Sequence, residues 1–374
     1  MYFGLSEDQT LFQDSLTRYL AEASPPEVVR GAAEAETSGD AWAATEVLRR
    51  GLADMGAFGI LIPEHYGGAG LGVLDAALVA ETLGGAAAPV PFTAMAVMAP
   101  LALMLTGSDE QKERWLPRCA AGEAYIGVGV TETFGRRDGG GLTAASDETL
   151  TGSAYFVLDG VNADAFIVAD TGGQFYLIEA GAAGLEITPQ ITIDRTRGFC
   201  SLSCTATPAS RLPGNAPLHN MIAAGRVVLA ADTLGAAQTM LDKAVDYAGE
   251  REQFGRIISS FQSVKHLCAE MAAEIEPLRS LVWYAAHARD AVTRDDGDDG
   301  NHDAQIAAAH AKALSGEAGR FVARTATEVH GGIGFTDLLG LHFWFKRIGA
   351  NRQLLGGPEQ VREEAARLQG WLAA

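Results

Sequence analysis

The sequence predicts a mostly α-helical fold with an all-β module set into its middle. Residues before Tyr125 and after Pro217 carry apolar side chains at helical spacing. Between them, YIGVGVTET, LTGSAYFVLDG, ADAFIVADT, QFYLIEA, LEITPQI and GFCSLSCTAT are short runs rich in β-branched and aromatic residues, punctuated by Gly, Asp and Asn. Pro208, Pro213 and Pro217 mark the way out of this module. The expected domains are an N-terminal helical domain at 1–122, a middle β domain at 123–215 and a C-terminal helical bundle at 216–374.

Each helix has its own local reason. Residues 5–23 open with Ser6, Glu7 and Asp8, a good N-terminus, and continue with a stripe of Leu11, Phe12, Leu16, Tyr19 and Leu20. A second helix spans 41–55 and ends near Gly56, and FGILIPEHYGGAGLG (58–72) is an apolar stretch closing in a Gly-rich loop. Residues 73–84 and 91–106 are Ala/Leu-rich helices. GSDEQKERWLPRCAAGE (107–123) is a short helix with Ser108 as N-cap and Pro117 ending it. Beyond the β module, 219–249, 256–292, 303–330 and 341–372 read as long helices. TRDDGDDGNHD (293–303) reads as a solvated acidic helix–helix loop, with a calcium site as the minor alternative because its carboxylates lack the EF-hand order ending in Glu.

Composition narrows the class. At 374 residues, 48% hydrophobic and 20% charged, the chain buries an ample core and is not a disordered sequence. The net charge of −19, with no Lys/Arg cluster to offset it, excludes a nucleic-acid footprint. An anionic ligand would need a local positive pocket. The four cysteines, at 119, 200, 204 and 268, imply no disulfide framework, and Cys200 with Cys204 lacks the companions of a zinc site. No metal is expected. MYFGLSEDQTLF has no charged-then-apolar signal pattern, and apolar runs stop short of a membrane span. The expectation is a soluble cytoplasmic protein.

The chemistry concentrates in Tyr247–Met271, YAGEREQFGRIISSFQSVKHLCAEM. Ile257, Ile258, Phe261, Val264, Leu267 and Met271 are expected to form a buried stripe. Arg251, Gln253, Phe254, Gln262 and His266 add guanidinium, amide, aromatic and imidazole groups around a break at Phe254-Gly255. A plain core helix does not need that polar entrance. Of the remaining candidates, His266, Phe343, Trp344 and Phe345 read as packing or subunit contacts, and Cys268 as a packed thiol. His330 is open between packing and a place beside Gly331.

These motifs together resemble the acyl-CoA dehydrogenase family over essentially the whole chain. FGILIPEHYGGAGLG, GSDEQKERWLPRCAAGE, VTE (130–132), REQFGRIISSFQSVKH and EVHGGIGFT (328–336) match its ordered motifs. The resemblance implies a helical domain, a β-barrel and a four-helix bundle, with FAD as cofactor and an acyl-CoA as substrate. It also implies that FAD lies at a subunit interface, its ring cradled by one chain's β domain. The neighbour's Arg251, Gln253, Phe254, Gln262, Glu328, Gly331 and Gly332 then reach the diphosphate portion. Guanidinium offers paired donors to phosphate oxygens, and Gly-Gly lets backbone N–H groups approach an anion. The alternative for Arg251 is an ion pair with Asp246 or Glu252. Glu328 departs from the family's usual Gln, which sets a carboxylate near the diphosphate.

The family reaction removes a proton α to the thioester carbonyl with a Glu while the β-carbon gives hydride to flavin. The two family positions for that Glu fall on Gly225 and on Leu355 or Gly356, so no catalytic residue is assigned to this chain. Glu359 and Asp232 are the nearest acids that a relocated base could use. The ring cradle departs as well: Arg136 and Arg137 stand where Gly and Ser belong, Phe156 and Leu158 where Trp and Thr belong, and Gly357 or Pro358 where a Thr belongs. The pattern is that of a chain completing a flavin site cradled by a homologous subunit, as in heteromeric bacterial enzymes for steroid side chains and other bulky acyl-CoAs. A heterotetramer with two copies of each chain follows, with an electron-transfer flavoprotein as possible acceptor. Alternatives are a self-sufficient homomer with a relocated base, a flavoprotein of this fold with other chemistry such as oxygenation, and a non-enzymatic scaffold.

Overall fold

The computed structural model describes residues 4–35, 37–133, 140–145, 148–214, 218–294 and 298–372. The first helices are α1 (Glu7–Ala23), α2 (Pro26–Glu34), α3 (Ser38–Ala44), α4 (Glu46–Asp54), α5 (Val73–Gly85), α6 (Ala99–Thr106) and α7 (Asp109–Ala120). The strands are β1 (Ile126–Gly129), β2 (Gly141–Ala144), β3 (Thr149–Leu158), β4 (Ala165–Ala169), β5 (Phe175–Glu179), β6 (Leu185–Gln190), β7 (Phe199–Pro208) and β8 (Ser210–Arg211). There follow α8 (Leu218–Glu250), a hairpin of β9 (Glu252–Gln253) and β10 (Arg256–Ile257), then α9 (Gln262–Arg294), α10 (Asp298–His330), α11 (Leu341–Gln353) and α12 (Pro358–Leu368). No helix among the described residues is long and apolar enough to cross a membrane.

The chain divides into two compact units. One comprises Gly31–Ala76 and Pro89–Gly225 and holds the sheet. Its strand order is β6-β7-β3-β1-β4-β5-β8, with β2 also on β3. β1 and β4 run parallel and the other pairs antiparallel. The barrel closure that the family implies is not among the described pairings. β6 and β8 end the sheet without meeting, and β8 is only two exposed residues long. Leu142, Leu150, Val157, Phe166, Val168, Ile178 and Leu202 form this unit's buried cluster. Asp159 ties strand to helix within it, accepting from the Ala94 amide at 2.9 Å.

The other unit comprises Met1–Arg30, Ala77–Ala88 and Arg226–Ala374. Here α5 and α8 touch backbone to backbone. A Cβ at Gly84 would lie 2.0 Å from the Asp232 carbonyl oxygen, and one at Gly235 would lie 1.7 Å from that of Glu81. Arg279 closes the crossing by donating to Glu81 and to Gln238. Trp344 Nε1 donates to the Gly85 carbonyl and Arg347 to that of Ala88, each at 2.8 Å, which anchors α11.

Several expected boundaries move. The helix at 41–55 is two helices, α3 and α4, broken at Thr45, whose hydroxyl turns back to the Trp42 carbonyl. The helix at 91–106 begins as a π-helical turn, Thr93–Met98. Ser108 caps α7 with a full capping box, but Pro117 lies inside that helix, which continues to Ala120. The helix expected from 256 starts at Gln262, because Phe254 and Gly255 take positive φ and fold the chain into the hairpin. The single helix at 341–372 is α11 and α12, parted by Leu355 and Gly356 at φ +55 and +101 before Pro358 restarts the helix. α2 falls between the helices expected from the sequence, and Pro26 opens it at a first helical position that tolerates proline.

Candidate functional site

The hairpin after α8 is a two-residue loop. Gln253 pairs with Arg256 across Phe254 and Gly255, whose φ values are +55 and +76. Positive φ at both positions is the I′ geometry that favours Asn-Gly, and an aromatic there bears backbone strain. Phe254 is nonetheless 91% exposed. Its ring meets Phe261 in a T-shaped contact, and Phe261 in turn carries the Arg256 guanidinium 4.0 Å from its centroid. The stripe below is not buried as expected. Met271 is buried, but Ile258, Phe261, Val264 and Leu267 are only half-buried and Ile257 is exposed.

Arg251 is exposed, and its guanidinium makes no hydrogen bond or ion pair with any described residue, Asp246 and Glu252 included. Its backbone is secured at both sides: its amide donates to Tyr247 and its carbonyl accepts from Ile258. Gln253 is exposed with its amide on the Glu252 carbonyl, and Gln262 is exposed at the start of α9. His266 is exposed too.

The second group of predicted residues lies at the end of α10. Glu328, Gly331 and Gly332 line a concavity of about 640 Å³ together with Arg324, Thr327, Phe335 and Phe345. Gly331 has φ +64, and a Cβ at Gly332 would meet nothing within 4 Å, so the backbone there is open to close approach. His330 is packed rather than directed into the concavity. It is buried, its Nδ1 lies 2.7 Å from the Ala326 carbonyl, and its ring stacks on Tyr247 at 4.8 Å. That stack draws the end of α8, one turn before Arg251, against the end of α10, one residue before Gly331. The hairpin residues do not themselves line the concavity. Phe343 and Trp344 are buried, whereas Phe345 opens onto the concavity.

The positions expected to hold a base are otherwise occupied. Leu355 is buried in a left-handed conformation and its carbonyl accepts from Arg226 Nε at 2.9 Å. The same guanidinium forks onto Glu364 at 2.9 and 2.7 Å. Lys312, 1% exposed, donates to the carbonyls of Arg352 and Gly356, each at 3.1 Å. Burial pulls its pKa down to about 7, helped by the nearby charges of Arg226 and Arg352. Of the two relocated-base candidates, Glu359 is paired with Arg352 at 3.0 Å. Asp232 is buried, accepts from Asn351 at 2.7 Å and lies 3.6 Å from Arg347.

In the sheet unit, β3 bulges between Ala154 and Val157, and Phe156 turns to φ +50. Its amide donates to Gln190 and its carbonyl accepts from Thr131. Bulges of this kind re-aim a side chain at a site. Leu158 is 1% exposed and offers no donor. Arg136 and Arg137 lie outside the described residues. Both carboxylate oxygens of Glu132 are shielded from solvent and meet no hydrogen-bond donor among the described residues. Burial raises the Cys200 thiol to about 12 and raises Cys204 too, as expected of packed thiols. Among the described residues no group of three or more His, Cys, Asp or Glu is placed to hold a metal ion.

Within the helical unit the donors suit an anion: the Arg251 guanidinium, unpaired among the described residues, and the open Gly331-Gly332 backbone can each receive one. Sequence reasoning missed Arg324 and Lys312. Arg324 sits one turn before Glu328 and was legible only from that spacing.

Two family models match the chain: the acyl-CoA dehydrogenase N-terminal domain over residues 6–123 and the C-terminal domain over 215–367. The chain is 30% identical over 367 residues to acyl-CoA dehydrogenase IpdE2 of Mycolicibacterium smegmatis, covering 98% of this chain and 99% of that protein. Among solved structures, a variant of the Tcur3481-Tcur3483 steroid ACAD is 30% identical with a TM-score of 0.85, covering 97% of this chain and 98% of that one. The ChsE4-ChsE5 complex from Mycobacterium tuberculosis is 27% identical with a TM-score of 0.88, and all of both chains is covered.

Proposed function

The chain belongs to the acyl-CoA dehydrogenase family, and from that premise we propose that it is one subunit of a cytoplasmic, heteromeric, FAD-dependent acyl-CoA dehydrogenase. It completes a flavin site that a homologous partner cradles, and the partner holds the catalytic Glu. The observation that carries this reading is an asymmetry. Arg251 is unpaired and Gly331-Gly332 is open, while Gly225, Leu355 and Gly356 offer no carboxylate.

FAD, when bound, supplies the hydride acceptor of the α,β-desaturation. The work of this chain's residues is binding. Arg251 presents two planar donors to phosphate oxygens, and the backbone N–H groups of Gly331 and Gly332 receive the same anion. Gln253, Phe254 and Gln262 bound the approach. Similarity to a steroid ACAD supports a bulky, steroid-derived acyl-CoA as substrate, and similarity to the ChsE4-ChsE5 complex supports a partner chain, with two copies of each following from closed symmetry. An electron-transfer flavoprotein is the acceptor this reading supplies. It also keeps the division at 1–122, 123–215 and 216–374, with the middle sheet in the family's barrel role.

A self-sufficient homomer would need Glu359 or Asp232 as base. Glu359 is already paired with Arg352, and Asp232 with Asn351 and Arg347. The deciding experiment is purification of the chain alone, with FAD added, followed by a steroid-derived acyl-CoA. The expected preparation is colourless or unreactive. A yellow homomer whose flavin bleaches on adding the thioester overturns the proposal in favour of a relocated base.

A further inference from the structure

Within the helical unit, a cavity of about 530 Å³ is walled by α1, the start of α2, α5, α8 and the start of α11. It shares no lining residue with the concavity beside Gly331, and its volume suits a small molecule. Leu20 and Val29 are buried in its wall, and Phe343 and Trp344 add aromatic side chains. Most polar groups on this wall are already used. The hydroxyls of Thr17, Thr82 and Thr239 donate to the carbonyls of Gln13, Leu78 and Gly85. Glu81 and Gln238 both accept from Arg279.

The side-chain donors left over among the described residues are the Gln13 amide, the Ser24 hydroxyl and the Lys243 ammonium. The Ser24 hydroxyl, on a residue 6% exposed, is shielded from solvent and meets no partner among the described residues, which costs stability until something meets it. Lys243 makes no ion pair with a described residue. Its ammonium lies 5.0 Å from the centroid of the Trp344 ring, and the indole N–H donates to the Gly85 carbonyl, which fixes that ring beside the charge. An ammonium and a hydroxyl on an otherwise satisfied, largely apolar wall suit a charged acceptor attached to an apolar body. Carboxylate and phosphate both offer one. Asp14 decides between them. It lines the same cavity, is exposed, and its carboxylate has no partner among the described residues, so it repels a dianion about twice as strongly as a monoanion.

We propose that this cavity binds a small monocarboxylate with an aliphatic or aromatic body, its carboxylate accepting from Lys243 and Ser24 and its body packed on Leu20, Val29 and Trp344. The site is separate from the flavin clamp and does not depend on reading this chain as a subunit that completes a partner's flavin site. It gives Lys243 an anion to neutralise and the Ser24 hydroxyl an acceptor.

The test titrates the purified full chain by calorimetry with phenylbutyrate, phenylbutanol and phenylbutyl phosphate, which share one body and differ in charge. Phenylbutyrate is expected to bind at least about tenfold more tightly than either of the others, the worth of a hydrogen bond to a charged group. Lys243→Gln abolishes that preference and Lys243→Arg keeps it. Ser24→Ala weakens phenylbutyrate about fivefold and leaves phenylbutanol unchanged. Asp14→Asn, at an exposed position that does not endanger the fold, narrows the gap between carboxylate and phosphate. Thermal melts report whether each variant is folded; if Lys243→Gln is not, Ser24→Ala and Asp14→Asn decide. Equal binding of the three probes, or phenylbutyrate affinity unchanged in the folded Lys243→Gln or Ser24→Ala chain, overturns the proposal. A loss in Arg251→Ala as large as that in Lys243→Gln puts the probe at the flavin clamp and overturns it as well.

Discussion

Lys312 shows how one residue can be invisible in sequence and decisive in structure. In the pattern of α10 it is an ordinary lysine, yet it is 1% exposed, with its amine donating to the carbonyls of Arg352, in the last turn of α11, and Gly356, in the turn after it. Its folded pKa, about 7, lies below the ordinary 10.5, first through burial and then through Arg226 and Arg352. The unfolded chain therefore binds more protons between those two values, and stability rises with pH across that window, with a slope of at most about 1.4 kcal/mol per unit. Lys312→Met is expected to lose that rise. The check is the change in Tm from pH 7 to pH 9 in the native chain and the variant; equal changes would mean the amine is not titrating as described. Arg251 was legible by contrast, because its guanidinium sits in a spaced motif, and the ion pairs that would have made it ordinary are not formed. Arg324 escaped notice because its one-turn spacing to Glu328 is a weak signal until the fold sets both on the concavity that Gly331 and Gly332 line.

At the scale of elements, the hairpin at 252–257 is where the chain departs most from what local physics prefers. Asn or Gly suits the first loop position, and Phe254 occupies it at φ +55 with almost its whole ring in solvent. Phe254→Asn is expected to stabilise the isolated chain by about 1 kcal/mol through relief of that strain. The same change should weaken assembly with the partner. A thermal melt of the chain alone and a pull-down with the partner separate the two effects. A loss of stability in the chain alone would show that Phe254 belongs to its own core. This hairpin was read as a helix break but not as a hairpin, since its strands are two residues each, too short to show a period. The π-helical turn at Thr93–Met98 and the split of α11 from α12 were missed for a related reason: apolar spacing continues through both while the backbone does not. The long helices α8 and α10 were legible from sustained apolar content over many turns, and α7 because stripe and cap chemistry agree at Ser108.

For the whole molecule, both units carry exposed apolar side chains, Ile191 and Val47 in the sheet unit and Phe254, Phe335 and Leu338 in the helical unit. The last three are each more than four-fifths exposed, and the same unit carries Arg251, unpaired among the described residues, and the half-covered stripe of α9. Exposed apolar surface of this kind marks an interaction site. In a chain of net charge −19, Arg251 and Arg324 are also focused cations for an anionic ligand. The order of helical, β and helical segments was legible from texture alone. Closure of the sheet was not, since edge pairing between distant strands leaves no mark in the sequence of either.

The most direct test is the number of flavins in the purified complex with its partner, with native Arg251 and with Arg251→Ala in this chain. If this chain only completes sites that the partner cradles, an assembly of two copies of each chain holds two FAD, and Arg251→Ala lowers that occupancy without dissolving the assembly. Four FAD per assembly, or full occupancy in the Arg251→Ala complex, would contradict the account.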